Sequence, residues 1–143
     1  MRSDFLNDNS GVSNVNSKFE TIAAARTLEA DDSGKVFGVN QASAYTITLP
    51  LAATAGPGWH CTFIVVTAAS YKVTIANNTD EDTICGMTTG ADGGAGSSVE
   101  TVSVDEVAFI SGAVVGDKVD LFCDGASYYA YGLGNDVAHI TIS

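Results

Sequence analysis

The sequence is poor in the side chains that most catalysis and metal binding require. It has two histidines, three cysteines and one tryptophan, and six basic residues stand against 17 acidic ones. Neither His60 nor His139 falls in an H-x-x-x-H or H-E-x-x-H spacing, so two ligands on one helical face are excluded and no metal is expected. Cys61, Cys85 and Cys123 are odd in number and contain no C-x-x-C pair, which rules out a complete disulfide framework. They read as small buried apolar residues of a protein made in a reducing cytoplasm. There is no G-x-S-x-G elbow and no G-K-[ST] phosphate loop, and Gly93, Gly94 and Gly96 lack a strand-to-helix setting. No convincing pair of acid and nucleophile is visible, so neither an enzyme nor a cofactor is expected.

Long apolar runs are missing too. None approaches the roughly 18 residues that a membrane-spanning helix needs, and no apolar segment follows Arg2, so the N-terminus does not read as a signal peptide. The shortage of basic charge leaves a formal net charge of −11. Such a chain repels the phosphate backbone, since it has few cations with which to displace counterions. Neither nucleic acid nor membrane is expected as a partner.

What is present points to an all-β protein. Its 143 residues fit one domain with a core of its own. Hydrophobic residues make up 45% and charged residues 16%, so the surface must be covered largely by Ser, Thr, Asn and Gly, a palette common in β-rich exported or virion proteins. Residues 1–17 are rich in Asn, Ser and Asp, with Phe5, Leu6, Val12 and Val15 as isolated apolar points. They read as an extended N-terminal arm ahead of a β-rich domain over 18–143. The arm is either a frayed terminus or a segment that orders when those four residues dock on a neighbouring subunit.

Ser17-Lys18-Phe19-Glu20 matches a capping box, and the alanines before Leu28 allow a short helix over Ile22 to Leu28; a strand at Phe19 to Ile22 is the other option. From Lys35 onward the period is two, as in strands with one buried face. Tyr45, Ile47 and Leu49 alternate with threonines up to Pro50. Ala55-Gly56-Pro57-Gly58 predicts a turn, and the apolar run Thr62 to Val66 predicts a strand covered on both faces. Tyr71, Val73 and Ile75 alternate next, followed by the turn residues Asn77 to Asp80. Five glycines between Gly86 and Ser98 predict a long surface loop. Val102 and Val104, then Val107 to Ile110, predict two more strands. Val119, Leu121 and Cys123 share one face, and Asp124-Gly125 turns the chain into Tyr128 to Tyr131, a hairpin. The final alternation of Ala138, Ile140 and Ile142 suits an edge strand or pairing with a partner chain. Many short strands at regular spacing predict a single-domain β-sandwich or barrel-like fold.

Two groups of residues are candidates for function. Carboxylates cluster at Asp31 with Asp32, at Asp80, Glu81 and Asp82, and at Asp105 with Glu106. All fall in predicted turns, where solvated charges are the ordinary outcome, and Asp80 with Asp82 beside Asn77 and Asn78 is the arrangement nearest to a calcium loop. Trp59, Tyr129 and Tyr131 are candidate partner-binding residues; Tyr129 and Tyr131 share one face of their strand, and Tyr128 lies on the other.

Ala25-Arg26-Thr27-Leu28, Asp32-Ser33-Gly34-Lys35-Val36-Phe37 with Asn40, and Tyr45-Thr46-Ile47-Thr48-Leu49-Pro50 resemble a pattern found in phage virion proteins. Phe63-Ile64-Val65 after Gly58, and Gly116-Asp117-Lys118-Val119 leading to Cys123-Asp124-Gly125 and Tyr128-Tyr129-Ala130-Tyr131-Gly132, are similar to the closing hairpin of the same group. The resemblance spans about Phe19 to Gly132. That group is the capsid decoration, or cement, proteins and the related β-domains of head and tail fibres. It departs from the pattern at Tyr128 or Tyr129, where the group tends to carry Trp, and in the Gly86 to Ser98 segment. The resemblance implies a structural protein, made in the host cytoplasm and located on the outside of the virion capsid, that binds the major capsid protein as a homotrimer. The alternative it implies is a receptor- or glycan-binding module of a fibre or tail.

Overall fold

Alternation of apolar and polar residues drives this chain into short strands, and the strands bury their apolar rows between two sheets. The computed structural model describes residues 18–79, 83–91 and 98–143. The strands are β1 (Phe19–Ile22), β2 (Arg26–Thr27), β3 (Val36–Asn40), β4 (Tyr45–Thr48), β5 (Pro57–Thr67), β6 (Val73–Ala76), β7 (Thr83–Gly90), β8 (Ser98–Val104), β9 (Glu106–Phe109), β10 (Lys118–Asp124), β11 (Ser127–Gly134) and β12 (Ile140–Ile142). One helical turn, α1 (Ala52–Ala55), and 3-10 turns at Ala30–Asp32 and Val137–His139 complete the elements.

A seven-stranded sheet has the order β1-β3-β5-β10-β11-β7-β8, and a five-stranded sheet the order β12-β9-β6-β4-β2. The first six strands pass alternately between the two sheets. The first four of them pair in parallel with the strand two places further along: β1 with β3 and β3 with β5 in the larger sheet, β2 with β4 and β4 with β6 in the smaller. This half is therefore wound as a coil, and on the inward side of the larger sheet the rings of Phe37 and Phe63, register partners on β3 and β5, stack at 5.4 Å. The second half closes the fold mainly with antiparallel strands: β10 lies between β5 and β11, and β9 between β6 and β12. The buried core joins Phe37, Phe63, Val65, Ile47, Ile75, Phe109, Leu121 and Tyr128 into one cluster. The fold is the all-β sandwich that the periodicity predicts.

Several local expectations are corrected. Ile22 to Leu28 is not helical; Phe19–Ile22 is strand β1, because it pairs along β3, and Arg26–Thr27 pairs with β4. Thr62 to Val66 is not covered on both faces: only Phe63 and Val65 are fully enclosed, while Thr62, Ile64 and Val66 face outward and are half-buried. Ala52–Ala55 is a helical turn, and Pro57 already belongs to β5. The segment from Gly86 does not begin a loop. Gly86 to Gly90 continue β7, paired residue for residue with β11. A Cβ on Gly86 would lie 1.9 Å from the Ala130 carbonyl oxygen, so glycine serves close strand approach there and not flexibility. Ala138 sits in the 3-10 turn, whereas Ile140 and Ile142 pair with β9 inside the chain at the edge of the smaller sheet. The arm residues Phe5, Leu6, Val12 and Val15, and the calcium candidates Asp80 and Asp82, lie outside the described residues.

Candidate functional site

The outer face of the seven-stranded sheet is where unsealed apolar surface collects. Strand register sets out the side chains there in rows. His60, Phe122, Tyr129 and Cys85 form the first row across β5, β10, β11 and β7. Thr62, Asp120, Tyr131 and Met87 form the second, and Ile64, Lys118, Leu133 and Thr89 the third. Phe122, Tyr129, Tyr131, Leu133 and Met87 are all exposed. Their rings touch: Phe122 meets Tyr131 edge to face at 6.4 Å and stacks on His60 at 6.3 Å. At the far edge of the same face, exposed Phe19 and half-buried Val66 reach over Gly38, where a Cβ would come within 2.9 Å of the Phe19 ring.

The polar groups of the face satisfy one another. Asp120 accepts from the Thr62 hydroxyl at 2.7 Å and from the Lys118 ammonium at 2.9 Å. Partial burial pushes the Asp120 carboxyl up, but those two donors outweigh it and its pKa falls below the ordinary 3.8. At the hairpin turn Asp124 accepts from the Ser127 and Ala126 backbone N–H groups at 2.7 and 2.8 Å and from the Tyr129 hydroxyl at 2.9 Å, which lowers its pKa. The same hydrogen bond raises that of Tyr129. Met87, Thr89, Lys118, Asp120, Tyr131, Gly132 and Leu133 line an open depression of about 290 Å³ on this face.

Of the aromatic candidates, Tyr129 and Tyr131 lie here, 37% and 47% exposed, while Tyr128 faces the core. Trp59 does not. It is 2% exposed, its indole N–H donates to the Glu29 carbonyl at 3.2 Å, and its ring meets Tyr128 edge to face at 5.9 Å. Trp59 is a core residue because it shares the inward row of β5 with Cys61 and Phe63. Sequence reasoning missed Phe122, Leu133, Met87 and His60. Phe122 had a signal: it breaks the polar row between Asp120 and Asp124, opposite the buried Leu121.

The carboxylate candidates divide: Asp31 and Asp105 are exposed, as expected of solvated turn charges, and Asp32 is enclosed. Asp32 is not a solvated turn charge: it is buried, accepts from Lys35 at 2.7 Å, Arg26 at 3.1 Å and the Glu29 N–H at 2.9 Å, and Glu20 also pairs with Arg26. Burial raises its pKa and Lys35, with Glu29 and Arg26, lowers it further, so the net shift is downward. Glu106 pairs with Lys72 at 2.5 Å, and Asp105 accepts from Asn77 at 3.2 Å. Asp117, also buried, accepts from the Val114 and Asn135 backbone N–H groups at 2.9 and 2.8 Å and lies 2.8 Å from His139 Nδ1, tying three loops together. Cys61 and Cys123 are buried, and burial first of all pushes the Cys61 thiol well up. Among the described residues, no three His, Cys, Asp or Glu side chains are grouped to hold a metal ion.

The chain matches no protein-family model, no curated protein and no solved structure.

Proposed function

We propose that the chain is a structural virion protein, a decoration or cement protein that binds the outside of a bacteriophage capsid as an oligomer and stabilises contacts between major capsid subunits. It acts through contact area, without a reacting group or cofactor. The observation that supports this reading is the outer face of the larger sheet: aromatic, open to solvent, and with Asp120 already paired to Thr62 and Lys118. Aromatic anchors surrounded by satisfied polar groups are the composition of a protein contact surface. Several such contacts on one particle multiply by avidity. A protein that binds the assembled lattice better than the disrupted one raises shell stability by mass action. The resemblance to cement proteins implies a trimer, with Phe5, Leu6, Val12 and Val15 of the arm against the major capsid protein.

A fibre or tail module that binds a receptor or glycan is the second reading. It is favoured by Tyr131 beside the depression that also holds Lys118 and Asp120, an aromatic ring next to hydrogen-bonding groups. Quantitative gel densitometry of purified particles separates the two. On the order of hundreds of copies per particle is the expected result for multipoint decoration, and a handful would overturn it in favour of the fibre. Deleting residues 1–17 should abolish attachment and leave the β-domain folded; unchanged occupancy would eliminate the docking arm.

A further inference from the structure

We infer that the smaller sheet takes a sixth strand from outside: an extended segment within residues 9–17 of a second copy pairs with the free edge of β12. The inference rests on the proposal that the chain works as an oligomer, and it gives that oligomer a head-to-tail contact.

The two sheets are unequal, and the vacancy has a definite place. Seven strands leave six intervals between neighbours, and the five strands of the smaller sheet sit over them. At one end β2 lies over the interval between β1 and β3, since the Arg26 guanidinium pairs with Glu20 of β1 and stands 5.5 Å over the Phe37 ring of β3. At the other end β12 lies over the interval between β11 and β7. A Cβ on Gly132 of β11 would come within 2.9 Å of Thr88 Cγ2 on β7 and 3.0 Å of Ile140 Cγ2 on β12. The larger sheet continues past that point into β8, where Val99 pairs with Thr88. Among the described residues, no strand of the smaller sheet covers this last interval.

Backbone and side chains both favour a strand there. In the ladder between β9 and β12, Glu106 and Ser143 exchange both of their hydrogen bonds, at 2.9 and 3.0 Å, and the His139 carbonyl accepts from the Ile110 N–H at 3.0 Å. Antiparallel alternation then turns the N–H and C=O groups of Ile140 and Ile142 away from β9, toward the vacant side. Beside them lies a groove of about 310 Å³ lined by Thr88, Val137, Ala138, Ile140, Thr141 and Ile142, none of them charged. A strand laid here gains main-chain hydrogen bonds from β12 and a pocket for alternate side chains, the two elements of strand addition. The free edge of β8 offers only the first, because no described strand of the smaller sheet would face a strand added there.

Charge and reach select the occupant. The chain carries a net charge of −11, yet residues 9–17 hold no charged side chain and have Val12 and Val15 as their apolar members. Such a segment enters an uncharged groove without leaving an ion unpaired. The arm of the same copy does not bring that stretch to the groove. It joins the fold at β1, the opposite edge of the larger sheet. Six strand spacings of about 4.8 Å and a sandwich depth of about 10 Å make a path of about 39 Å, which takes about 12 extended residues. Only Met1 to about Phe5 would arrive, carrying Arg2 and Asp4 into the groove. A neighbour placed with its β1 edge beside this β8 edge brings residues 9–17 there directly. Donor and acceptor then use different edges, a heterologous contact that closes into a ring, in agreement with the trimer proposed above. Phe5 and Leu6, beyond the paired segment, remain for the capsid.

Hydrogen exchange at the Ile140 and Ile142 amides of the full chain, read together with sedimentation velocity, tests the exchanged strand. The expected result is a three-copy mass in which both amides are protected. Val12→Asp with Val15→Asp should weaken assembly on the order of 100-fold and speed exchange of both amides by a similar factor. Ala138→Glu, at an exposed position in the acceptor groove, should do the same from the other side; the arm variant lies outside the described fold and decides alone if Ala138→Glu unfolds. Leu133→Glu, on the outer face of the larger sheet, should change neither readout. An assembly whose Ile140 and Ile142 amides exchange freely overturns the inference, as does protection that survives Val12→Asp with Val15→Asp. So does a monomer, including one whose own arm protects the two amides. Exchanged trimers that never occur on purified particles support this contact and count against decoration. Particles coated at high copy number by chains with a free β12 edge overturn the contact and leave decoration standing.

Discussion

The two faces of the β10–β11 hairpin are built from alternate residues of the same strands, yet they end in opposite surroundings. Val119, Leu121, Tyr128 and Ala130 are sealed against the smaller sheet, while Phe122, Tyr129, Tyr131 and Leu133 are left in contact with solvent. Tyr128 and its neighbour Tyr129 make the contrast in one step. The first is wholly buried and donates its hydroxyl to the Pro50 carbonyl at 2.6 Å, and the second donates to Asp124 at the surface. The inner row is accounted for by folding. The outer row is covered only in part and keeps 37–49% of its surface in solvent, apolar area that the folding of one copy does not remove.

That contrast sets an order of expected effects. Tyr128→Ala should cost about 4 kcal/mol in denaturant unfolding, because it removes a core ring and its hydrogen bond together. Asp117→Ala should cost about 3 kcal/mol by the same measurement, since it removes the buried acceptor shared by the Val114 and Asn135 backbone N–H groups and by His139. Gly86→Ala should lose about 2 kcal/mol, as the added methyl cannot be placed without pushing β7 off β11. Asp32→Asn should cost about 1 to 2 kcal/mol at neutral pH. The Asp32 pKa is lowered in the folded state, so its contribution is complete above the ordinary 3.8 and disappears as pH falls through the folded value. Acid titration of stability should therefore bring wild type and Asp32→Asn together below that pH. Smallest of all, Tyr131→Ala should shift monomer stability by no more than about 0.5 kcal/mol. A large loss there would erase the distinction between the two rows.

Much of this was legible in the residues, and the failures have identifiable causes. Period two shows which side chains share a face, so the Tyr45 to Leu49 strand, the closing hairpin and the separation of Tyr128 from Tyr129 and Tyr131 all follow from it. It does not say which strand lies alongside, so the alternate winding of β1 to β6 between two sheets was invisible. Gly86 looked like a loop residue because composition cannot show the Ala130 carbonyl that occupies the place of its side chain. Asp32 looked solvated because Arg26 and Lys35, its partners, meet it only once β2 and β3 are in place. Trp59 looked like a free aromatic because Pro57 and Gly58 suggested a turn where β5 had already begun. Following the predicted hairpin residue by residue would have placed Phe122 opposite Tyr129 and Lys118 opposite Leu133, whereas His60 and Met87 join them only through β5 and β7.

Hydroxyl-radical footprinting of the assembled protein against a dilute sample tests most directly whether this face is a contact surface. Phe122, Tyr129, Tyr131, Leu133 and Met87 should lose most of their labelling on assembly, while Tyr71 and Val115, exposed elsewhere, keep theirs. Equal labelling of the five residues in both samples would contradict the claim that their exposed area exists to be covered.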